Sequence, residues 1–188
     1  GIPYDKARAA FAEAARLPGL KVVGVDMHIG SQITALEPFD QAFDVLGTLV
    51  DQLRADGHTI SHVDLGGGLG VPYDGTLELP PRPEAYAEVI RKHGNRFGCR
   101  IILEPGRMIA GNAGILVTEV IFRKRGEEKD FLIVDAAMND LIRPTLYDAH
   151  HDILPVDEAV AARKPVRTDV VGPDCETGDY LALDRMLP

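Results

Sequence analysis

Between Pro38 and Ala55 the apolar residues Phe39, Phe43, Leu46, Leu49, Val50 and Leu53 recur at helical spacing, which gathers them on one face. Gly57 stands just past the end, where a left-handed residue closes the last turn. The stretch from Pro83 to Phe97 also reads as a helix, with proline in its first turn, where the missing N–H costs nothing. An alanine-rich segment from Tyr4 to Leu17, carrying Phe11 and Leu17, is a third helix, stopped by Pro18 and Gly19. Compact apolar runs lie between these segments: LKVVGVDMHIGS, ISHVDLGGGLG and CRIILEPGR. Each reads as a buried strand ending in a polar, glycine-containing loop.

From His28 to Gly66 and from Gly66 to Glu104 the interval is about 38 residues, close to one strand-and-helix unit of a (β/α)8 barrel with insertions. The expected class is therefore parallel α/β. After Gly111 the helical period disappears, and AGILVTEVIF and KDFLIVDAAM read as strands joined by a charged turn around Gly126. We expect residues 1–110 to be the later part of a barrel and residues 111–188 to be part of a β-rich, antiparallel second domain. A whole barrel needs roughly 250 residues, so three strands make only a sector. The chain reads as a piece of a longer protein, and an open sector that exposes its edges and inner face should fold poorly alone.

Charge narrows the partners. The net charge is -9 and the pI is about 5.1, which argues against nucleic acid or an anionic membrane, since both require a basic face. Arg123, Lys124 and Arg125 are answered by Glu127, Glu128 and Asp130, and read as a solvated turn. The two cysteines, Cys99 and Cys175, are far apart and form no metal-binding or disulfide pattern. No signal peptide is visible and no apolar run reaches the roughly 18 residues of a membrane span, so a cytoplasmic protein is expected. His150, His151 and Asp152 are adjacent, and neighbours on an extended chain point to opposite faces, so no metal site is expected there.

In parallel α/β folds ligands sit at the carboxyl ends of the strands. Three such ends here carry MHIGS, DLGGGLG and LEPGR. Three consecutive glycines, Gly66 to Gly68, let a phosphate approach main-chain N–H groups closely. Taken singly, each signal has a plainer explanation: a loop histidine at His28, a tight turn at the glycines, an ion pair and turn at EPGR. Their placement at consecutive strand ends is what favours one shared site.

HIGSQ at His28 to Gln32, DLGGGLGVPY at Asp64 to Tyr73, EPGR at Glu104 to Arg107, VDAAMNDLIRPTLYDAHHDI at Val134 to Ile153 and GPDCETGDYL at Gly172 to Leu181 resemble the diaminopimelate decarboxylase family. The motifs run in the family's order over essentially the whole chain. The resemblance implies a fold-type III pyridoxal-phosphate enzyme, with a barrel of the alanine racemase type and a second β domain. It implies that Gly66, Gly67, Gly68, Ser31 and the main chain of Gly106 and Arg107 hold the cofactor phosphate. Glu104 would face the pyridine nitrogen and His28 the ring. Arg107 and Arg143 would bind the substrate's carboxylates as bidentate forks, with Tyr147 adding a hydroxyl. Glu176 would hold the distal ammonium and Cys175 would donate a proton, both reaching the site of a partner subunit, so a homodimer is implied. The chain has CETGD where the family usually has CESGD, and Thr177 keeps the hydroxyl. A buried structural thiol at Cys175 and a surface arginine at Arg143 are the plainer alternatives.

The implied activity is decarboxylation of meso-2,6-diaminopimelate to L-lysine and CO2, the last step of lysine biosynthesis. One requirement is missing. The lysines are Lys6, Lys21, Lys92, Lys124, Lys129 and Lys164, and none ends a barrel strand; Lys21 begins one. The family's cofactor lysine would fall before Gly1, so the 188 residues alone are expected to be inactive. An ornithine, arginine or carboxynorspermidine decarboxylase shares HIGS, GGG and EPGR, but its substrate lacks the second α-carboxylate that Arg143 suits. An alanine racemase fits CETGD poorly. A non-catalytic binding protein on a truncated barrel is the alternative of another class.

Overall fold

A computed structural model describes residues 1–73 and 79–188. They divide into two compact units, one holding residues up to Pro72 and from Leu79 to Gly114, the other holding Tyr73 and residues from Ile115 to Pro188.

The first unit follows the periodicity closely. Helix α1 (Tyr4–Arg16) ends where expected, with Gly19 at φ 85° beyond it. Helix α2 (Glu37–Ala55) buries all six of its periodic apolar residues, and Gly57 at φ 92° follows its end. Helix α3 (Pro83–Phe97) ends on Gly98, left-handed at φ 56°. The strands are shorter than their apolar runs: β1 (Gly24–Asp26), β2 (His62–Asp64) and β3 (Arg100–Ile102) pair in the order β1-β2-β3, all parallel. Gly24, His62 and Arg100 stand in register, as do Asp26, Asp64 and Ile102. Lys21 to Val23 precede β1 and lie outside it, although Ser61 N–H donates to Val23 O at 2.8 Å.

The core of this unit packs α2 and α3 against the sheet. Phe39 and Tyr86 approach to 4.8 Å between ring centroids, and Phe43 meets the buried His93 edge-on at 5.7 Å. Around this apolar contact runs an ionic one. Asp40 on α2 accepts from Lys92 at 2.7 Å and pairs with His93 Nε2 at 2.7 Å, fastening α3 to α2 at two adjacent points. A short fourth helix, α4 (Gly106–Ala110), follows β3.

In the second unit the strands β4 (Val120–Lys124), β5 (Asp130–Val134), β6 (Val166–Val171) and β7 (Tyr180–Leu187) form a sheet in that order. The expected antiparallel sheet is corrected to a mixed one: β4–β5 and β6–β7 are antiparallel, whereas β5–β6 is parallel. The long connection between β5 and β6, carrying α5 (Arg143–Tyr147) and α6 (Glu158–Ala161), returns the chain to the same end and makes the parallel pairing possible. AGILVTEVIF contributes only its end to β4, and Arg123 and Lys124 belong to that strand rather than to a turn. Arg123 donates to Asp130 at 2.8 Å, and Lys124 Nζ lies 5.8 Å from the Phe131 ring centroid. Asp169, buried on β6, binds Lys129 Nζ at 2.6 Å and accepts from Asp184 N–H at 2.8 Å. The second contact holds Asp184 at φ 54°, beside the irregular register between β6 and β7. Among the described residues no helix is long and apolar enough to cross a membrane.

The Asp40 clamp has a defined pH dependence. Lys92, and after it His93, hold the Asp40 carboxyl below its ordinary pKa. A carboxylate depressed on folding contributes stability above its unfolded pKa and loses it as pH falls through the folded value. Asp40→Asn in the full-length protein should therefore lower the thermal midpoint at neutral pH and lower it progressively less in acid. Equal shifts at both pH values would assign the loss to packing.

Candidate active site

The parallel register puts the three strand-end loops side by side. Met27 N–H donates to Asp64 O at 3.1 Å, Leu65 N–H to Ile102 O at 3.0 Å and Glu104 N–H to Gly66 O at 2.9 Å. These bonds continue the ladder past the strands, so His28, Gly66 and Glu104 emerge on the same rim. A further bridge joins Ile33 to Leu69, with Ile33 N–H donating to Gly68 O at 2.9 Å.

The three glycines have a reason that the sequence alone does not disclose. A Cβ on Gly66 would lie 2.4 Å from Met27 O, on Gly67 2.1 Å from Glu104 O, and on Gly68 2.2 Å from Gly30 O. Gly66 and Gly68 also have positive φ, 66° and 102°. The triplet is required for the flanking loops to close on the middle one, before any ligand is considered.

Their N–H groups are unequally disposed toward an anion. Gly66 N–H donates to Asp64 Oδ1 at 2.9 Å and Gly67 N–H to His28 Nδ1 at 3.4 Å, while Gly106 N–H turns to Glu104 O at 2.7 Å. With Nδ1 accepting, the proton of neutral His28 sits on Nε2. A cavity of about 170 Å³ lies beside the triplet, lined by Gly66, Gly67, Gly68, Gly106, Arg107 and the first turns of α3. Tyr86 lines it too, and its buried hydroxyl has no hydrogen-bond partner among the described residues. Burial pushes the Tyr86 phenol above its ordinary pKa. A glycine-walled cavity at the N-terminal turns of a helix, with an orphaned hydroxyl, fits a phosphate.

Glu104 and His28 are exposed on this rim, and so is Ser31. Arg107 donates from Nη1 to Gln32 Oε1 at 3.1 Å. Two carboxylates that our sequence reading did not single out join Glu104: an oxygen of Asp26, one of Asp64 and one of Glu104 all lie within 4.8 Å of one another. The signal was present in the sequence, since GVD and HVD each close a strand with an acid and IILE places one just beyond the third. Such a trio attracts a hard cation or a protonated ring nitrogen.

Within the second unit the structure brings the remaining candidates together. Thr145 on α5 donates to Gly178 O and Tyr180 OH to Pro144 O, tying the RPTLY helix to the CETGD turn. Asp179, buried, accepts from Met138 N–H at 2.7 Å and from Asp174 N–H at 2.8 Å. Arg143 is half-buried and lies 5.5 Å from the Tyr147 ring centroid. Cys175 is exposed and is not packed within this unit. Glu176 is exposed but folds back onto its own turn, accepting from Gly178 N–H at 3.0 Å and Thr177 Oγ1 at 3.1 Å. Those two contacts, the backbone one first, hold its carboxyl below the ordinary range. Arg185 donates to His150 Nε2 at 2.9 Å and to His151 O at 3.1 Å. His151 is held below its ordinary pKa by burial and then by the charge of Arg143.

Residues 1–111 match the family model described as pyridoxal-dependent decarboxylase, pyridoxal binding domain, and the chain belongs to that family. It is 53% identical over 187 residues to the diaminopimelate decarboxylase of Pseudomonas aeruginosa, covering 100% of this chain and 44% of that one. The diaminopimelate decarboxylase of Neisseria meningitidis is 49% identical, with 100% and 45% covered. The crystal structure of the Helicobacter pylori diaminopimelate decarboxylase complexed with L-lysine superposes with a TM-score of 0.89 at 36% identity, covering 100% of this chain and 46% of that one. The chain thus spans less than half the length of the relatives it matches.

Two glycines separate packing from ligand contact. Gly67→Ala forces a Cβ onto the Glu104 carbonyl and should cost the full-length protein about 1–3 kcal/mol of stability. Gly106→Ala points into space with nothing within 4 Å and should cost no more than about 0.5 kcal/mol. Denaturant unfolding of the two variants checks the contrast.

Proposed function

We propose that the full-length protein is a pyridoxal-phosphate-dependent decarboxylase that converts meso-2,6-diaminopimelate to L-lysine and CO2, the last step of lysine biosynthesis. The observation that carries this reading is the rim itself: one set of parallel strand ends bears the glycine-walled cavity, the His28 ring and the Glu104 carboxylate. The diaminopimelate decarboxylases of similar sequence support the substrate.

Bound there, pyridoxal phosphate supplies an electron sink for the pair left behind when CO2 departs. The residues of this chain then have separable tasks. Gly68 N–H, the Tyr86 hydroxyl and the N-terminal turns of α3 hold the phosphate, with Ser31 and the main chain of Gly66, Gly67, Gly106 and Arg107 around it. Glu104, ionised, keeps a proton on the pyridine nitrogen, and Asp26 and Asp64 add negative potential at the same point. His28 forms a flat wall for the ring.

Arg107 and Arg143 each receive one substrate carboxylate, and Tyr147 supports Arg143 through its ring face. Glu176 unfolds from its own turn to take the distal ammonium. The Cys175 thiol returns a proton to the carbon that lost CO2. Cys175 and Glu176 complete the site of a second subunit in a homodimer, which suits their exposure. Of the lysines in the first unit, Lys6 lies in α1, Lys21 before β1 and Lys92 in α3 on Asp40, and none follows a strand end. In this reading the cofactor's covalent anchor is a lysine of the full-length protein, since no lysine of the first unit stands at a strand end.

The test is CO2 release by the full-length enzyme from diaminopimelate and from ornithine. Activity on diaminopimelate alone is expected, and preference for ornithine would overturn the substrate reading. Losing one partner of an ion pair desolvated by the bound ring costs about 3–5 kcal/mol, and about 1.4 kcal/mol is tenfold in rate, so Glu104→Ala should lower turnover by about two to four orders of magnitude. A loss under about tenfold would remove Glu104 from the pyridine nitrogen.

A further inference from the structure

Gln32, at the end of the HIGSQ motif, is one of three non-glycine residues with positive φ among the described residues, at 58°. The left-handed turn carries its side chain across to the loop that follows the glycine triplet. There the amide reads both main-chain groups of one residue: Nε2 donates to Val71 O at 2.7 Å and Oε1 accepts from Val71 N–H at 3.2 Å. The same Oε1 accepts from Arg107 Nη1 at 3.1 Å. One side chain therefore ties together the loops that follow β1 and β2 and the first turn of α4, which follows β3.

The chemistry of this contact is specific. A primary amide pairs with a peptide in one orientation only, because a flip would set its NH2 against the Val71 N–H and the guanidinium. The double contact with Val71 thus fixes Oε1 toward Arg107. Gly70 completes the fit, since a Cβ there would crowd Gln32 Nε2 at 3.3 Å. The acceptor is neutral, so it orients the guanidinium without cancelling its charge, which a carboxylate in the same place would do.

We infer that Gln32 is a positioning residue for Arg107, holding the guanidinium in the orientation that receives a substrate carboxylate. The inference rests on the reading above that Arg107 binds such a carboxylate. Steady-state kinetics of the cofactor-loaded, full-length enzyme on meso-diaminopimelate test it. Gln32→Met should raise KM about tenfold and change kcat less than about threefold, with cofactor content unchanged. Gln32→Glu, which keeps the acceptor and the side-chain length but adds a competing charge, should also raise KM and serves if the methionine variant does not fold. In an Arg107→Ala background Gln32→Met should raise KM by less than about twofold, because residues acting through one contact are not additive.

An unchanged KM in the Gln32 variants, or a tenfold rise that persists without Arg107, overturns the inference. If Arg107→Ala itself leaves KM unchanged, the carboxylate role of Arg107 falls first and takes the inference with it.

Discussion

Three main-chain carbonyls occupy the space where side chains would begin on Gly66, Gly67 and Gly68. That close approach is the constraint on which the rest of the rim depends. It lets the loops after β1 and β3 close on the loop after β2, which in turn holds His28 against Gly67 and places Glu104 beside Asp26 and Asp64. The glycines thus act first as packing elements. Their usefulness to a phosphate follows from the same bare backbone, with the cavity beside them opening toward Tyr86 and α3.

Much of this was legible in the sequence, for identifiable reasons. The amphipathic helices carried their own boundaries: Pro38 and Pro83 near the starts, Gly57 and Gly98 past the ends. The glycine triplet and EPGR declared themselves as strand-end chemistry because they stand at equal intervals behind apolar runs. Strand lengths were not legible, since Val22 and Val23 continue the apolar run yet β1 begins only at Gly24, with Val23 O taking Ser61 N–H just before it. Strand direction was not legible either. Alternation tells a strand from a helix but says nothing of whether β6 runs with β5, which the connection through α5 and α6 decides.

The site residues divide the same way. His28 and Glu104 were readable from motif and placement, and Asp26 was missed although it ends a strand as Asp64 does. Gln32 stands inside the HIGSQ motif, but nothing in spacing or composition gave it a role. Its role depends on a left-handed backbone and on Val71, 39 positions away in sequence, and tertiary contact of that kind leaves no local periodicity. Glu176 is the converse case: the motif marks it, yet its carboxylate is engaged with its own turn.

The second unit shows how a single buried carboxylate shapes a whole edge. Asp169 takes the Asp184 N–H and holds that residue left-handed in the middle of β7, the last strand of the sheet. A strand interrupted in this way cannot offer a long straight row of unpaired N–H and C=O groups. The same carboxylate also takes Lys129, just before β5, so the start of β5, β6 and the kink in β7 are pinned at one point.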